Sequence, residues 1–106
     1  MVKRGEVWLI ALDPTIGREV KKTRPAMVLS PDELNETLET AIVAPMTTGA
    51  SPAPFRVPID FENTRGLVLI EQMRAVDRLR LIRRVGRASG KTVAAALRVA
   101  QEMFAE

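Results

Sequence analysis

A chain without histidine or cysteine has neither the usual general base of neutral pH nor a thiolate nucleophile, and it lacks the commonest zinc ligands. Any chemistry must come from guanidinium, carboxylate, hydroxyl and amide groups. Arg24 offers a planar fork of donors that fits two phosphate oxygens at once. Five positions earlier, Glu19 supplies a carboxylate with an ordinary pKa of about 4.3, a weak proton acceptor unless burial raises it. Its other reading is an ion-pair partner that orients Arg24. Arg18 either grips a phosphate or is a solvated loop charge. The hydroxyls of Thr47 and Thr48 can donate to a phosphate oxygen, or belong to an ordinary turn. Glu71 and Gln72 pair a carboxylate with an amide, a combination that can read base edges; equally, they read as a paired strand residue and a satisfied core amide. Phe55 can stack a base, although its place in an alternating segment favours packing in the core.

The charge distribution narrows the partner class. Sixteen Lys and Arg against thirteen Asp and Glu leave a formal charge of +3, a mild bias toward polyanions. The bias is local. Residues 74–91 carry seven cations (Arg74, Arg78, Arg80, Arg83, Arg84, Arg87 and Lys91) against the single anion Asp77, whereas residues 32–39 carry four carboxylates and no cation. Such a basic run guides RNA, binds an acidic protein segment, or is spent in intramolecular ion pairs. With 106 residues, 46% of them apolar, and mean hydropathy near zero, the chain suffices for one globular domain over residues 1–106. No apolar run approaches the length of roughly 20 residues that a membrane helix needs, and MVKRGEVW lacks a signal-peptide core. The expected location is the cytoplasm, with no membrane partner.

Elements that position these side chains follow from hydrophobic period and turn chemistry. Residues 5–12, GEVWLIAL, are β-branched, aromatic and aliphatic without a turn residue, and predict a buried strand. DPTIGREVKKT then reads as a long loop, and RPAMVLS at 24–30 as a second strand with Pro25 near its start. Ser30-Pro31-Asp32-Glu33 has the form of an N-cap, a proline at the first helical position and acids in the first turn, predicting a short helix near 31–37. Strands follow at 40–46, at 55–59, and over 66–76 with an interruption near Gln72, then a helical turn at 77–80 and a last strand at 81–87. After Ser89 the period lengthens. Val93, Ala96, Leu97, Ala100, Met103 and Phe104 share one face of a terminal amphipathic helix of roughly 14 residues. Many short strands and one terminal helix indicate a mainly-β or α+β fold, a small curved sheet or barrel.

Five segments resemble the MazF/PemK (Kid) toxin family in the family's order: RGEVWL at 4–9, DPTIGRE at 13–19, RPAMVLS at 24–30, APMTTG at 44–49 and EQMRAVDRLRL at 71–81. The resemblance spans nearly the whole chain and implies an SH3-like barrel, a homodimer, metal-independent endoribonuclease activity on single-stranded mRNA without a cofactor, and a cognate MazE-like antitoxin. It carries Arg24 and Thr47 over as the catalytic pair, and places Glu71 and Gln72 in a region that contributes to the substrate cleft. Two positions depart from the family. Where relatives carry Ser, or a His proposed to take part in cleavage, this chain has Arg18, which cannot serve as a base. Leu69 stands where the Kid branch places a proposed catalytic arginine, so this chain is closer to the MazF branch.

Metal-free RNA cleavage requires a base for the ribose 2′-OH, charge stabilisation at phosphorus and a proton for the leaving oxygen. Under the resemblance Arg24 supplies the second, Thr47 a hydrogen bond, and Glu19 either accepts the proton or orients Arg24. Arg18, Thr48, Phe55, Glu71 and Gln72 are expected to contact substrate. Trp8 reads as core or dimer interface. Two rivals share the expected fold: a CcdB-like gyrase poison and a non-catalytic SH3-like binding module. The first relies on a C-terminal tryptophan, whereas this chain ends Met103-Phe104-Ala105-Glu106. The second would not require Arg24, Glu19 and Thr47 to converge.

Overall fold

The computed structural model describes residues 1–11 and 23–106. Among them are seven strands, β1 (Glu6–Ala11), β2 (Thr23–Val28), β3 (Thr40–Thr47), β4 (Arg56–Phe61), β5 (Thr64–Leu69), β6 (Arg74–Asp77) and β7 (Leu81–Arg87), and two helices, α1 (Asp32–Thr37) and α2 (Gly90–Met103). Single 3-10 turns at Ile70–Gln72 and Arg78–Arg80 flank β6. The first turn is the interruption expected near Gln72, and the second is the helical turn expected at 77–80.

All strand pairs are antiparallel, in the order β4-β5-β3-β2-β1-β7. One edge of β3 pairs with β2; its other edge is shared, with β6 against Thr40–Val43 and β5 against Met46 and Thr47. That sharing lets the sheet curl. Successive side chains of a strand point to opposite faces, and in β2 and β3 both faces are buried. Met27, Ala44 and Met46 join a core with Val57, Val68 and Ile70, whereas Ala26, Val28, Ala41 and Val43 join a second core with Ile10 and Leu81. The unbroken apolar runs PAMVL and AIVA are the sequence form of strands covered on both sides.

Helix α2 closes the first core. Ser89 caps it by accepting from Thr92 N–H at 3.2 Å, Ala96 is fully buried, and Val93, Val99 and Ala100 pack around it. Its 14 residues match the expected length. The apolar stripe ends sooner than its period predicts: Met103 and the C-cap residue Phe104 are exposed.

The start of α1 differs from the sequence expectation. Pro31, with extended backbone (φ −69°, ψ 156°), is the N-cap itself, and no side chain caps the helix. Ser30 is drawn inward instead: its hydroxyl donates to Asn35 Oδ1 at 2.6 Å and accepts from Ile42 N–H at 2.9 Å, while Asn35 Nδ2 donates to the Ser30 carbonyl at 3.1 Å. Buried polar groups need partners, and these supply one another. They fasten α1 to β3.

A second polar group is buried near the chain start. Glu6 is 3% exposed and accepts from Lys3 N–H at 2.9 Å, the Trp8 indole at 3.1 Å and Arg84 Nη1 at 2.9 Å. Trp8 itself rests half-buried against the second core. Burial alone would raise the Glu6 carboxyl, but the hydrogen bonds from Lys3, Trp8 and Arg84, with the Arg84 charge, outweigh it and hold the group below the ordinary glutamate value. A carboxyl lowered in the folded state adds stability above its unfolded pKa and loses it as pH falls through the folded value. Glu6→Gln should therefore lower stability above pH 4.5 by about 1–3 kcal/mol and flatten the acid limb. Urea melts of both proteins across pH 2 to 7 test this; parallel stability curves would refute it.

Candidate functional site

Strand register brings the two principal polar residues together. In the β2/β3 pair Ala26 faces Pro45 and Met27 faces Ala44; Arg24 and Thr47 each lie two residues beyond the last pair of this ladder. Arg24 is also paired through its backbone with Ile10 of β1, and Thr47 with Leu67 of β5. Each position is thus held by a neighbouring strand, β1 for Arg24 and β5 for Thr47. Their side chains line one cavity of about 400 Å³.

The lining of the cavity is divided by chemistry. Arg24, Thr47, Thr48 and Thr64 provide a cation and hydroxyls, Glu62 a carboxylate, and Met46, Ile59 and Phe61 an apolar wall. Thr47 Oγ1 accepts from Gly49 N–H at 3.1 Å, which fixes the oxygen and leaves the hydroxyl hydrogen to donate elsewhere. Gly66 sits where β5 passes the end of β3, and a Cβ there would lie 2.9 Å from the Thr47 carbonyl oxygen. The strands can approach this closely only with glycine at that position.

The β4–β5 connection was not apparent from the sequence. Strands expected at 55–59 and from 66 instead run to Phe61 and from Thr64, joined by a two-residue turn in which Glu62 (φ 51°) and Asn63 (φ 60°) are both left-handed. This is the backbone of a tight hairpin turn, usually marked by Asn-Gly or Asp-Gly. Only Asn63 hinted at it. The missed turn carries Phe61, Glu62 and Thr64 into the cavity. Phe61 also links the two ends of the sheet, since a Cβ at Gly86 of β7 would lie 2.7 Å from its ring.

The other expected site residues fall elsewhere. Arg18 and Glu19 lie outside the described residues. Thr48 lines the cavity; Phe55, Glu71 and Gln72 do not. Phe55 is 39% exposed rather than packed in the core, with the Arg56 guanidinium 5.8 Å from its ring centre. Glu71 Oε2 accepts from Arg56 Nε at 3.0 Å and Nη2 at 2.8 Å, an ion pair at the far end of β4. Gln72 is exposed on the 3-10 turn beside it. The basic run is also divided. Arg84 holds Glu6, Arg78 donates to the Asn35 carbonyl and Arg80 to the Ala11 carbonyl, whereas Arg83 and Arg87 are exposed on β7.

Comparison with known proteins adds to this geometry. A family model described as PemK-like, MazF-like toxin of type II toxin–antitoxin systems matches residues 3–104. Endoribonuclease PemK of Escherichia coli is 38% identical over 81 residues, covering 72% of this chain and 61% of that protein. This chain therefore spans about three fifths of the E. coli relative. Endoribonuclease MazF9 of Mycobacterium tuberculosis is 36% identical over 105 residues, covering 89% of this chain and 88% of its own length. A chain in the MazE–MazF crystal structure from Deinococcus radiodurans superposes with a TM-score of 0.86 at 26% identity, covering 97% of this chain and 95% of that one. Among the described residues no helix is long and apolar enough to cross a membrane.

Proposed function

Because the chain belongs to the PemK-like, MazF-like toxin family of type II toxin–antitoxin systems, we propose that it cleaves single-stranded RNA in the cavity where β2, β3 and β5 meet. One observation carries this reading: Arg24 and Thr47 line the same cavity, just beyond the point where their strands β2 and β3 pair at Ala26 and Pro45. The two relatives above bear the name endoribonuclease, which fits a site that can grip a phosphodiester.

In the proposed reaction the ribose 2′-oxygen attacks the adjacent phosphorus, the bond to the 5′-oxygen breaks, and a 2′,3′-cyclic phosphate forms. Arg24 spans non-bridging oxygens whose charge grows in the transition state, and Thr47 donates a further hydrogen bond. Strand pairing holds both residues at the cavity, and the hydrogen bond from Gly49 orients the Thr47 hydroxyl before substrate arrives. Glu19 takes the 2′-proton, or orients Arg24 while water takes that proton, and water protonates the leaving 5′-oxygen. Thr48, beside Thr47 on the cavity wall, contacts the backbone; Arg18, Phe55, Glu71 and Gln72 serve more distant parts of the RNA. No metal or cofactor takes part in this scheme. The substrate is mRNA in the cytoplasm, the working form is a homodimer, and a MazE-like antitoxin inhibits it. The antitoxin assignment is supported by the MazE–MazF assembly of the Deinococcus relative.

Incubation of the protein with single-stranded RNA in excess EDTA tests the scheme. The expected products end in 2′,3′-cyclic phosphate or the 3′-phosphate derived from it. Activity that disappears on chelation and returns with a divalent metal, or products ending in 3′-hydroxyl, would rule the scheme out.

A further inference from the structure

The turn between β4 and β5 combines two features that phosphate chemistry leaves without a role. Its first residue is left-handed, with φ 51°, a conformation in which a glutamate is strained and a glycine or asparagine is not. Yet the residue there is Glu62, and it lies on the cavity wall with Arg24, Thr47 and Phe61. A turn made only to connect two strands would gain nothing from glutamate. Strain at a cavity wall points to a side chain retained for what it contacts.

Charge decides what that contact is. A phosphodiester drawn to Arg24 is repelled by a carboxylate, so the backbone of a bound strand runs along the Arg24 and Thr47 side of the cavity. Toward Glu62 the strand presents a base. The described residues hold no ion-pair partner for the Glu62 carboxylate, leaving its oxygens to accept from a ligand. Next to it, Phe61 gives an aromatic wall whose ring is held against Gly86, and unstacked RNA bases settle on such surfaces.

Resting on the RNA-cleavage reading above, we propose that Glu62 selects the nucleobase beside the scissile phosphate and favours guanine. Guanine alone among the four bases presents two adjacent donors, N1–H and N2–H, to the two oxygens of a carboxylate. Uracil offers a single N3–H flanked by carbonyl oxygens that the carboxylate repels. Base discrimination by one good bidentate contact is worth about 5- to 150-fold, and roughly tenfold is expected at an exposed wall. Glu62→Gln replaces one acceptor with a donor and should erase the guanine preference at that single position. Glu62→Gly should erase it too while relieving the turn, so that its Tm equals or exceeds that of the parent.

Two randomised pools test the inference. With single-stranded RNA, sequencing of the cut ends should show guanine enriched about tenfold over uracil at one flanking position, with the enrichment lost in both variants and preferences elsewhere kept. The second pool carries 2′-fluoro ribose, which has no attacking hydroxyl, and the bound fraction is sequenced. Guanine enrichment that depends on Glu62 in the bound pool, without cleavage of the first, would keep this inference and reject the nuclease reading. Cleavage with the same base pattern in parent and variants would reject the inference and keep the nuclease. Absence of binding to the second pool, or binding without guanine enrichment, overturns the role of Glu62.

Discussion

Replacing Arg24 with alanine should lower the rate of RNA cleavage by about 10²- to 10³-fold, the loss expected when one preorganised donor to a developing oxyanion is removed, while Tm stays within a few degrees of the parent. The asymmetry follows from where the side chain lies. Arg24 is near the start of β2 and only half-buried, whereas the strand's contribution to the two cores comes from Ala26, Met27 and Val28. Among the described residues no carboxylate is ion-paired with it. Among those residues truncation therefore strands no buried partner charge, which is what makes loss of an ion pair costly. Arg24→Lys keeps the charge but not the planar fork, so it should recover only part of the rate. Initial rates on one RNA substrate, with thermal melts of each variant, distinguish the cases. Cleavage by Arg24→Ala at the parental rate would remove this residue from the chemistry.

The readability of this site in the sequence varied with how local its determinants are. Arg24 and Thr47 stand out because each adjoins an unbroken apolar run of strand length, which places those strands to within a residue or two. Helix α2 was equally clear, since Ser89 caps it and the 3.6-residue period begins directly after. What failed was punctuation. The Glu62-Asn63 turn contains no glycine, so the hairpin that brings Phe61, Glu62 and Thr64 to the cavity gave only the weak signal of one asparagine. Ser30 shows the reverse case, a good local capping pattern overridden by a tertiary demand. Ile42 N–H and Asn35 needed a buried hydroxyl, and Pro31 was left to begin the helix uncapped. Phe55 and Glu71 were read by residue type. Placing them required knowing that β4 runs from the Arg56–Glu71 ion pair at one end to the cavity at the other.

A residue with no side chain should matter almost as much as Arg24. A Cβ at Gly66 would lie 2.9 Å from the carbonyl oxygen of Thr47 and 3.4 Å from its carbonyl carbon. Both are backbone atoms of the strand to which β5 is hydrogen-bonded at Thr47 and Leu67, so no flexible side-chain end can turn aside. In Gly66→Ala the end of β3 must move away from β5, carrying Thr47 out of its position on the cavity it shares with Arg24. Displacement of a catalytic group by about 1 Å can cost 10²-fold in rate, and overpacking of this kind destabilises by roughly 1–3 kcal/mol. Expected, then, is a fall of about 10²-fold in kcat on RNA together with a lowered Tm. Gly90→Ala is the matched control, because a Cβ there meets nothing within 4 Å; it should keep both rate and Tm. To separate misplacement from simple instability, rates are taken well below the Tm of Gly66→Ala, where all of it is folded. Under that condition an undiminished kcat would mean that the close approach of β5 does not position Thr47, and that the hydroxyl finds its place by the hydrogen bond from Gly49 alone.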